Sequence, residues 1–231
     1  MVLKAILFDF DGVIYPSPHY VYLARKRFFK KYKINFKKKD FKKYFVSSTT
    51  DFVNSMNKEY NINVDIEKMH MFTRTEFIKL IKNRYTPNLG IRELLKELTK
   101  NKIKIGISSS NRRKIILYDL NKLGLKKYFK VIVSVEDVLH SKPSPETYLL
   151  TASKLKVHPR ECVGIEDAPE GIIGMKKNGI KTIGLLSEFT TSNEFKKVKA
   201  DLIVKSTRNL TLDMFKNLIN DNVITKKKKS N

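Results

Sequence analysis

The chain is poor in cysteine and has no long uncharged hydrophobic run. Its one cysteine, Cys162, excludes an internal disulfide and is predicted to be a small buried hydrophobe in a reducing, intracellular setting. Asp9 interrupts the first apolar run, and no uncharged segment of membrane-spanning length follows. We therefore expect a soluble, cytoplasmic protein. Its 231 residues, 41% of them hydrophobic, suffice for one large core or a core with a smaller inserted domain.

Acidic residues are also scarce, with 23 Asp and Glu against 47 Lys and Arg and a formal net charge of +24. This charge makes nucleic acid, anionic surfaces and phosphorylated metabolites plausible partners. Only nine of the basic residues are Arg, which disfavours a reader of base edges because bidentate Arg contacts dominate that task. A lysine-rich composition also follows from A+T-biased coding, so the charge alone selects no partner. The four histidines have no metal-ligand spacing: His19, His70, His140 and His158.

Strand patterns are missing between residues 17 and 84. The prolines of Tyr15–Pro18 make a stiff connector into this segment, which is unusually basic and aromatic. The pattern predicts an all-helical domain over residues 17–84, inserted after the first strand, with Val46–Asp51 as a polar loop in its middle. Apolar and aromatic side chains recur there at helical spacing: Val21, Ala24, Phe28 and Tyr32, then Phe77, Leu80 and Ile81.

Beyond residue 85 helix and strand patterns alternate. Such alternation predicts an α/β fold, a Rossmann-like parallel sheet flanked by helices. We assign residues 1–16 and 85–219 to this core, and residues 220–231 to a basic, disordered tail that follows a last helix ending at Ile219. The predicted strands after the first are Ile103–Ile107, Val131–Val133, Glu161–Ile165, Thr182–Leu186 and Leu202–Val204.

Two carboxylates, Asp9 and Asp11, follow the first strand directly. One residue separates them, so in extended chain both point to the same side, where they can face one reacting atom or one cation. Paired buried acids are costly unless a metal ion or hydrogen-bond donors compensate them. An ordinary Asp-Gly turn explains this stretch equally well when it is taken alone.

Further polar groups follow later strands or lie between core elements. Because the carboxyl ends of parallel strands share one sheet edge, these groups are expected to converge with Asp9 and Asp11. Carboxylates, hydroxyls and one ammonium together indicate a divalent cation and a phosphoryl group. The additional groups are Ser108-Ser109-Ser110, Lys142 and Glu166-Asp167.

Each of these groups also has a plain structural reading. Ser110 could cap a helix that opens at Asn111, and Asp167 could belong to a capping box with Glu170. Lys142 could be a solvated loop lysine. Their joint occurrence, in this order on one sheet edge, favours a functional site.

Four motifs contain these groups and follow one another along the chain. They are Asp9-Phe-Asp11-Gly12-Val-Ile, Ile107-Ser108-Ser-Ser-Asn111, Ser141-Lys142-Pro-Ser-Pro-Glu146 and Gly164-Ile-Glu166-Asp167-Ala-Pro-Glu-Gly171. In this order they resemble the motifs of the haloacid dehalogenase superfamily. The chain is similar to its phosphatase and β-phosphoglucomutase branch with a helical cap, and the resemblance spans Leu3 to about Ile219.

The resemblance implies a role for each matched residue. Asp9 would be the nucleophile that forms an aspartyl-phosphate, and Asp11 the general acid and then the general base. Ser108 and the amide of Ser109 would hold phosphate oxygens, and Lys142 would offset the negative charge. A Mg²⁺ ion would be bound by Asp9, Glu166 and Asp167 with the backbone carbonyl of Asp11.

Departures from the branch narrow the expected reaction. The acid at Asp11 disfavours dehalogenation and phosphonate cleavage, because those branches lack it. The cap His and Arg of β-phosphoglucomutases correspond to Val21 and Ser48, which favours a phosphatase over a sugar phosphomutase. We expect the cap to select the substrate through Ser47, Ser48, Thr49 and Thr50.

The expected substrate is a small phosphorylated metabolite, such as a sugar phosphate, phosphoglycolate, glycerol phosphate or a nucleotide, and the expected assembly is a monomer or weak homodimer. A sugar phosphomutase is one alternative. Another is a protein of this fold that binds nucleic acid or an anionic surface through the basic and aromatic cap segment. The helical period instead places those rings in the core of the cap, which disfavours nucleic acid as a partner.

Overall fold

The computed structural model describes residues 1–44, 49–82 and 85–227. Over these residues, no helix combines the length and the apolar character needed to cross a membrane. The chain forms two compact units. We call them the sheet unit, Met1–Tyr15 with Thr86–Asn231, and the helical unit, Pro16–Tyr85.

Parallel strands and flanking helices build the sheet unit, which confirms the predicted fold class. Its strands are β1 (Ala5–Phe8), β2 (Lys104–Ser108), β3 (Val131–Val133), β4 (Cys162–Glu166), β5 (Lys181–Leu185) and β6 (Leu202–Val204). They form one sheet in the order β3-β2-β1-β4-β5-β6, and every pair is parallel. Its described helices are α5 (Ile91–Lys100), α6 (Arg113–Lys122), α7 (Glu146–Lys154), α8 (Pro169–Lys176), α9 (Ser192–Lys197) and α10 (Leu212–Lys227).

The central strand β1 fixes where a ligand can bind. All four of its residues are buried because strands of a parallel sheet are covered on both faces. Phe8 pairs with Ile107 of β2 on one side and with Ile165 of β4 on the other. The strand order therefore reverses at β1: β2 and β3 lie on one side of it, and β4, β5 and β6 lie on the other. Open α/β sheets bind ligands in a crevice at the carboxyl ends of the strands at such a point.

The described part of the helical unit contains four helices around an aromatic core. They are α1 (Ser17–Lys30), α2 (Lys38–Lys43), α3 (Thr49–Tyr60) and α4 (Ile66–Ile81). The rings of Phe29, Phe36 and Phe52 pack with centroids 5.0 to 5.9 Å apart, and all three side chains are at most 1% exposed. Phe28 and Phe41 are also buried. These five rings thus serve the core of the unit and offer no exposed stacking surface.

Several predicted boundaries are wrong at the ends of elements. The polar segment Val46–Asp51 was expected as a loop, but α3 begins at Thr49, because Thr and Asp are typical of helix starts. Ser47 and Ser48 lie outside the described residues. The last helix was expected to end at Ile219, whereas α10 continues to Lys227, since no Gly or Pro interrupts that stretch.

Helix α9 has no counterpart in the predicted pattern, yet it supplies a core side chain. Phe195 of α9 is fully buried in a cluster with Leu7 and Met175. Its ring lies against Gly184 of β5, where any Cβ would overlap it. A helix of six residues is too short to show an amphipathic period, so the pattern could not reveal it.

We predict that Phe195→Ala lowers the free energy of unfolding by about 3–5 kcal/mol, because it removes a buried ring and leaves a cavity. Urea titration followed by circular dichroism measures the loss. Leu139→Ala is the control, since that side chain is 92% exposed and its truncation should cost less than about 0.5 kcal/mol. Equal losses for the two variants would show that α9 is not part of the core.

Candidate active site

Three carboxylates meet where β1 and β4 end. Asp9 directly follows β1, Glu166 is the last residue of β4, and Asp167 comes next in the chain. The amide of Asp9 donates to the Ile165 carbonyl at 3.0 Å, which fixes the two strand ends side by side. Each acid places one oxygen within 4.8 Å of an oxygen of the other two, and all three side chains are buried. The sheet register therefore brings these predicted residues together.

Lys142 enters this cluster from the loop before α7. Its ammonium lies 2.5 Å from Asp9 Oδ1 and also donates to Glu166 Oε1. The side chain is 8% exposed, so Lys142 is not a solvated loop lysine. The hydroxyl of Tyr148 donates to the same Glu166 oxygen, and the Tyr148 ring lies 5.0 Å from the ammonium. One lysine thus connects the carboxylates of two neighbouring strands.

The cluster contains three carboxylates and one ammonium, so negative charge is in excess. Burial raises the pKa of Asp9 well above its usual value, and the charges of Glu166 and Asp11 add to this effect against the opposing influence of Lys142. Burial, Asp9 and Glu166 raise the pKa of Asp167 in the same way. Burial lowers the pKa of Lys142, but the facing carboxylates of Asp9 and Glu166 outweigh it and raise that pKa overall.

The donor set fits a divalent cation. Asp167 Oδ2 is buried and has no hydrogen-bond partner within the described structure, although an unsatisfied buried carboxylate oxygen is costly. Asp9 and Glu166 add oxygens at its side. Hard oxygen ligands suit Mg²⁺ or Ca²⁺ better than softer ions. The structure excludes the alternative that Asp167 caps helix α8. The residue at the cap position is Ala168, and no side chain caps this helix.

Two glycines make room for these carboxylates. Gly12 has φ of +83° in the turn after β1, and a Cβ there would overlap the carboxylate of Asp167. Gly171, inside α8, leaves the space taken by the carboxylate of Glu166 and the hydroxyl of Tyr148. A side chain at either position would displace a carboxylate of the cluster. The site therefore requires glycine at both positions.

Asp11 lies in the turn after β1, outside the group of three carboxylates. Its Oδ2 accepts a hydrogen bond from Asn111 Nδ2 at 3.1 Å. Asn88 holds the same turn by donating to the carbonyls of Gly12 at 2.6 Å and Val13 at 2.9 Å. The sequence indicated Asn111 as a helix start and as the end of the second motif, without its contact to Asp11, and it indicated no role for Asn88. The turn holds the Asp11 carboxylate apart from the three others while keeping it on the same sheet edge.

The serines that follow β2 divide into two environments. The Ser108 hydroxyl is buried and bonds to Thr151 Oγ1 of α7 at 2.8 Å. The Ser109 amide donates to the Val133 carbonyl at 3.0 Å, so it is engaged in the sheet rather than available to a phosphate. The Ser109 hydroxyl instead accepts from the Asn111 amide at 3.0 Å, and Asn111 reaches Asp11.

Ser110 does not have its expected role, and Tyr148 makes a contact that the sequence analysis did not predict. Helix α6 begins at Arg113 with Arg112 before it, so Ser110 does not cap it. The ring of Tyr148 packs in the core, and its hydroxyl donates to Glu166. The sequence could have indicated a polar contact of Tyr148, because the hydroxyl of a buried tyrosine needs a hydrogen-bond partner.

The amino-acid sequence matches the family description of haloacid dehalogenase-like hydrolases over residues 6–185. The chain belongs to the haloacid dehalogenase-like hydrolases. It is 30% identical over 221 residues to the β-phosphoglucomutase of Bacillus subtilis, covering 92% of this chain and 93% of that protein. It is 24% identical over 210 residues to the pyrophosphatase PpaX of Oceanobacillus iheyensis, covering 91% and 96%.

The fold agrees with this assignment. A crystal structure of β-phosphoglucomutase from Clostridium difficile superposes with a TM-score of 0.80 and 28% identity, covering 96% of this chain and all of that one. The predicted family is thereby confirmed, and the chain is an enzyme of a hydrolase family. Relatives of the chain include both a phosphomutase and a pyrophosphatase, which supports phosphatase or phosphomutase chemistry.

We predict that Lys142→Met destabilises this haloacid dehalogenase-like hydrolase by about 3–5 kcal/mol, because it leaves buried carboxylates without their cation. Urea unfolding at neutral pH without divalent ions measures the loss. Lys154→Met is the matched control: its ammonium lies 3.7 Å from Asp137 and is 43% exposed, so its removal should cost no more than about 1 kcal/mol. A Lys142→Met protein as stable as the control would contradict the central position of this ion pair.

Proposed function

We propose that the chain is a Mg²⁺-dependent phosphomonoester hydrolase that forms an aspartyl-phosphate on Asp9. The observation that carries this proposal is the buried Lys142 ammonium against Asp9 Oδ1, beside the unsatisfied Asp167 carboxylate. A carboxylate can approach an anionic phosphoryl group only where positive charge is supplied. This cluster supplies one cation and holds the ligands for another.

Asp9, Glu166 and Asp167 would hold the Mg²⁺ ion, with the backbone carbonyl of Asp11 completing the set. When bound, the ion neutralises charge on the phosphoryl oxygens and on the carboxylates. Gly12 lets Asp167 lie against the turn that carries Asp11. The ligands therefore come from strand ends and a turn whose positions the sheet fixes.

Asp9 is the nucleophile in this proposal. Its position at the end of the central strand, with one oxygen held by Lys142, orients the carboxylate before the substrate arrives. Attack on phosphorus breaks the ester bond and places the phosphoryl group on Asp9. Lys142 also counters the negative charge of the phosphoryl oxygens.

Asp11 serves as acid and then as base. It first protonates the leaving oxygen of the ester, and it then takes a proton from the water that attacks the aspartyl-phosphate. Asn111 holds its carboxylate. Because Ser108 faces Thr151 and the Ser109 amide belongs to the sheet, we assign the phosphate contact after β2 chiefly to the Ser109 hydroxyl, on the Asn111 side.

The substrate class is a small phosphorylated metabolite, and a sugar phosphate is favoured by similarity to β-phosphoglucomutase. That similarity also supports a phosphomutase as a second candidate. Val21 and Ser48 argue against it, since neither side chain can replace the His and Arg expected in the cap. Transfer of phosphate from a sugar bisphosphate to a monophosphate, measured against transfer to water, separates the two reactions.

We predict Mg²⁺-dependent hydrolysis of phosphomonoesters that Asp9→Asn reduces to background, because an amide cannot act as the nucleophile. The measurement is phosphate release from sugar phosphates, phosphoglycolate, glycerol phosphate, nucleotides and an aryl phosphate, with and without Mg²⁺. Asp213→Asn is the control, since this aspartate is 88% exposed and remote in sequence from every motif. If folded Asp9→Asn protein releases phosphate faster than contaminating phosphatases can account for, the proposal is wrong.

We also predict that Asp11→Asn slows turnover but lets the phosphorylated enzyme accumulate from an aryl phosphate. A good leaving group hardly needs the acid, whereas water still needs the base. Rapid acid quench with a radiolabelled donor measures protein-bound phosphate. If no phosphorylated enzyme accumulates in this variant while turnover continues, Asp11 does not have the proposed role.

A further inference from the structure

The helical unit contains a buried cation for which the described residues offer no counter-charge. Arg25 of α1 is 9% exposed, and burial lowers the pKa of its guanidinium to about 10, so that it stays charged at neutral pH. Within residues 1–44, 49–82 and 85–227, neither a hydrogen-bond acceptor nor an acidic partner is found for it, and its Nε atom is buried without a partner. Such a charge is costly to bury without compensation.

Aromatic rings surround this guanidinium and fix its position. Its central carbon lies 4.1 Å from the ring centroid of Phe52 on α3 and 5.5 Å from that of Phe41 on α2. Ring faces attract a cation, but they accept none of its five N–H donors. Phe52 packs in turn on Phe29 and Phe36, so the platform under the guanidinium is rigid.

Two acidic residues on the neighbouring helices are engaged elsewhere. Asp40, beside Phe41, accepts the amide of Lys37 at 2.7 Å at the start of α2. Arg27, two residues along α1, pairs with Glu76 at 2.9 Å. Between residues 25 and 43 the chain carries eleven Lys and Arg against the single acid Asp40, so the local field attracts anions.

We propose that Arg25 is an anion-binding residue of the helical unit and that its ligand is a phosphate or carboxylate group. A planar guanidinium stacked on a ring presents its remaining donors as a fork, which matches two oxygens of such a group. The anion restores the charge balance that the described protein residues leave open. We expect it to be a free anion taken from solution.

The first arm of the test uses inorganic phosphate. Thermal unfolding of the full chain is followed as phosphate replaces chloride at constant ionic strength, with a chelator present and no Mg²⁺. Without phosphate, Arg25→Met should be as stable as the wild type or more so, because it removes a buried unpaired charge. With phosphate, the wild type and the control Arg27→Met should gain stability, and Arg25→Met should gain clearly less.

The second arm identifies the chemical class of the anion. Acetate replaces chloride under the same conditions, and the unfolding of wild type, Arg25→Met and Arg27→Met is compared. A gain in stability that depends on Arg25 should appear with phosphate, with acetate or with both.

Arg25→Lys covers the case in which Arg25→Met does not fold. It keeps the charge and loses the planar fork, so it should retain part of the phosphate effect. Variants at Arg25 that match Arg27→Met in both arms would overturn the proposal and leave Arg25 a packing residue. Because neither arm needs catalysis, absent phosphatase activity and a failed Arg25 proposal are separate results.

Discussion

The ion pair of Lys142 with Asp9 and Glu166 is the constraint on which the rest of the site depends. It joins the carboxyl ends of β1 and β4 through one buried ammonium, in contact with both acids. Replacing a buried pair by apolar residues often costs little, whereas breaking one is expensive. Such a pair is poor evidence of selection for stability, and its position at the sheet edge indicates function instead. Its remaining deficit of positive charge explains why the same residues can take up a divalent cation.

The backbone has to come unusually close to these acids, and glycines at two places allow it. Gly12 permits the turn that carries Asp11 to lie on Asp167, and Gly171 permits α8 to start against Glu166 and Tyr148. The two units handle buried cations differently. Lys142 is paired twice, whereas the described residues leave Arg25 among aromatic rings without an acid. Lys142 therefore has its counter-charges within the protein, whereas we propose that a bound anion provides the counter-charge of Arg25.

Much of this structure could be predicted from the sequence, because strand and helix periods are strong and the acids directly follow strands. The convergence of Asp9 and Glu166 followed from their places at the ends of parallel strands, whereas that of Lys142, which lies in a loop, followed from its place among the four motifs. Hydrogen-bond geometry did not: which serine hydroxyl faces the core depends on the packing of Thr151, which no pattern along the chain reveals. Helix α9 was missed for a similar reason, since its place is set by a tertiary contact of one ring.

In the proposed reaction Asp9 carries the phosphoryl group. The direct measurement is borohydride reduction of enzyme that is acid-quenched during turnover, followed by peptide mass spectrometry, because reduction converts an aspartyl-phosphate to homoserine. We expect homoserine at position 9 in the presence of substrate and Mg²⁺, and aspartate there when either is omitted. Unmodified aspartate at position 9 during active turnover, or homoserine at another acid, would contradict it.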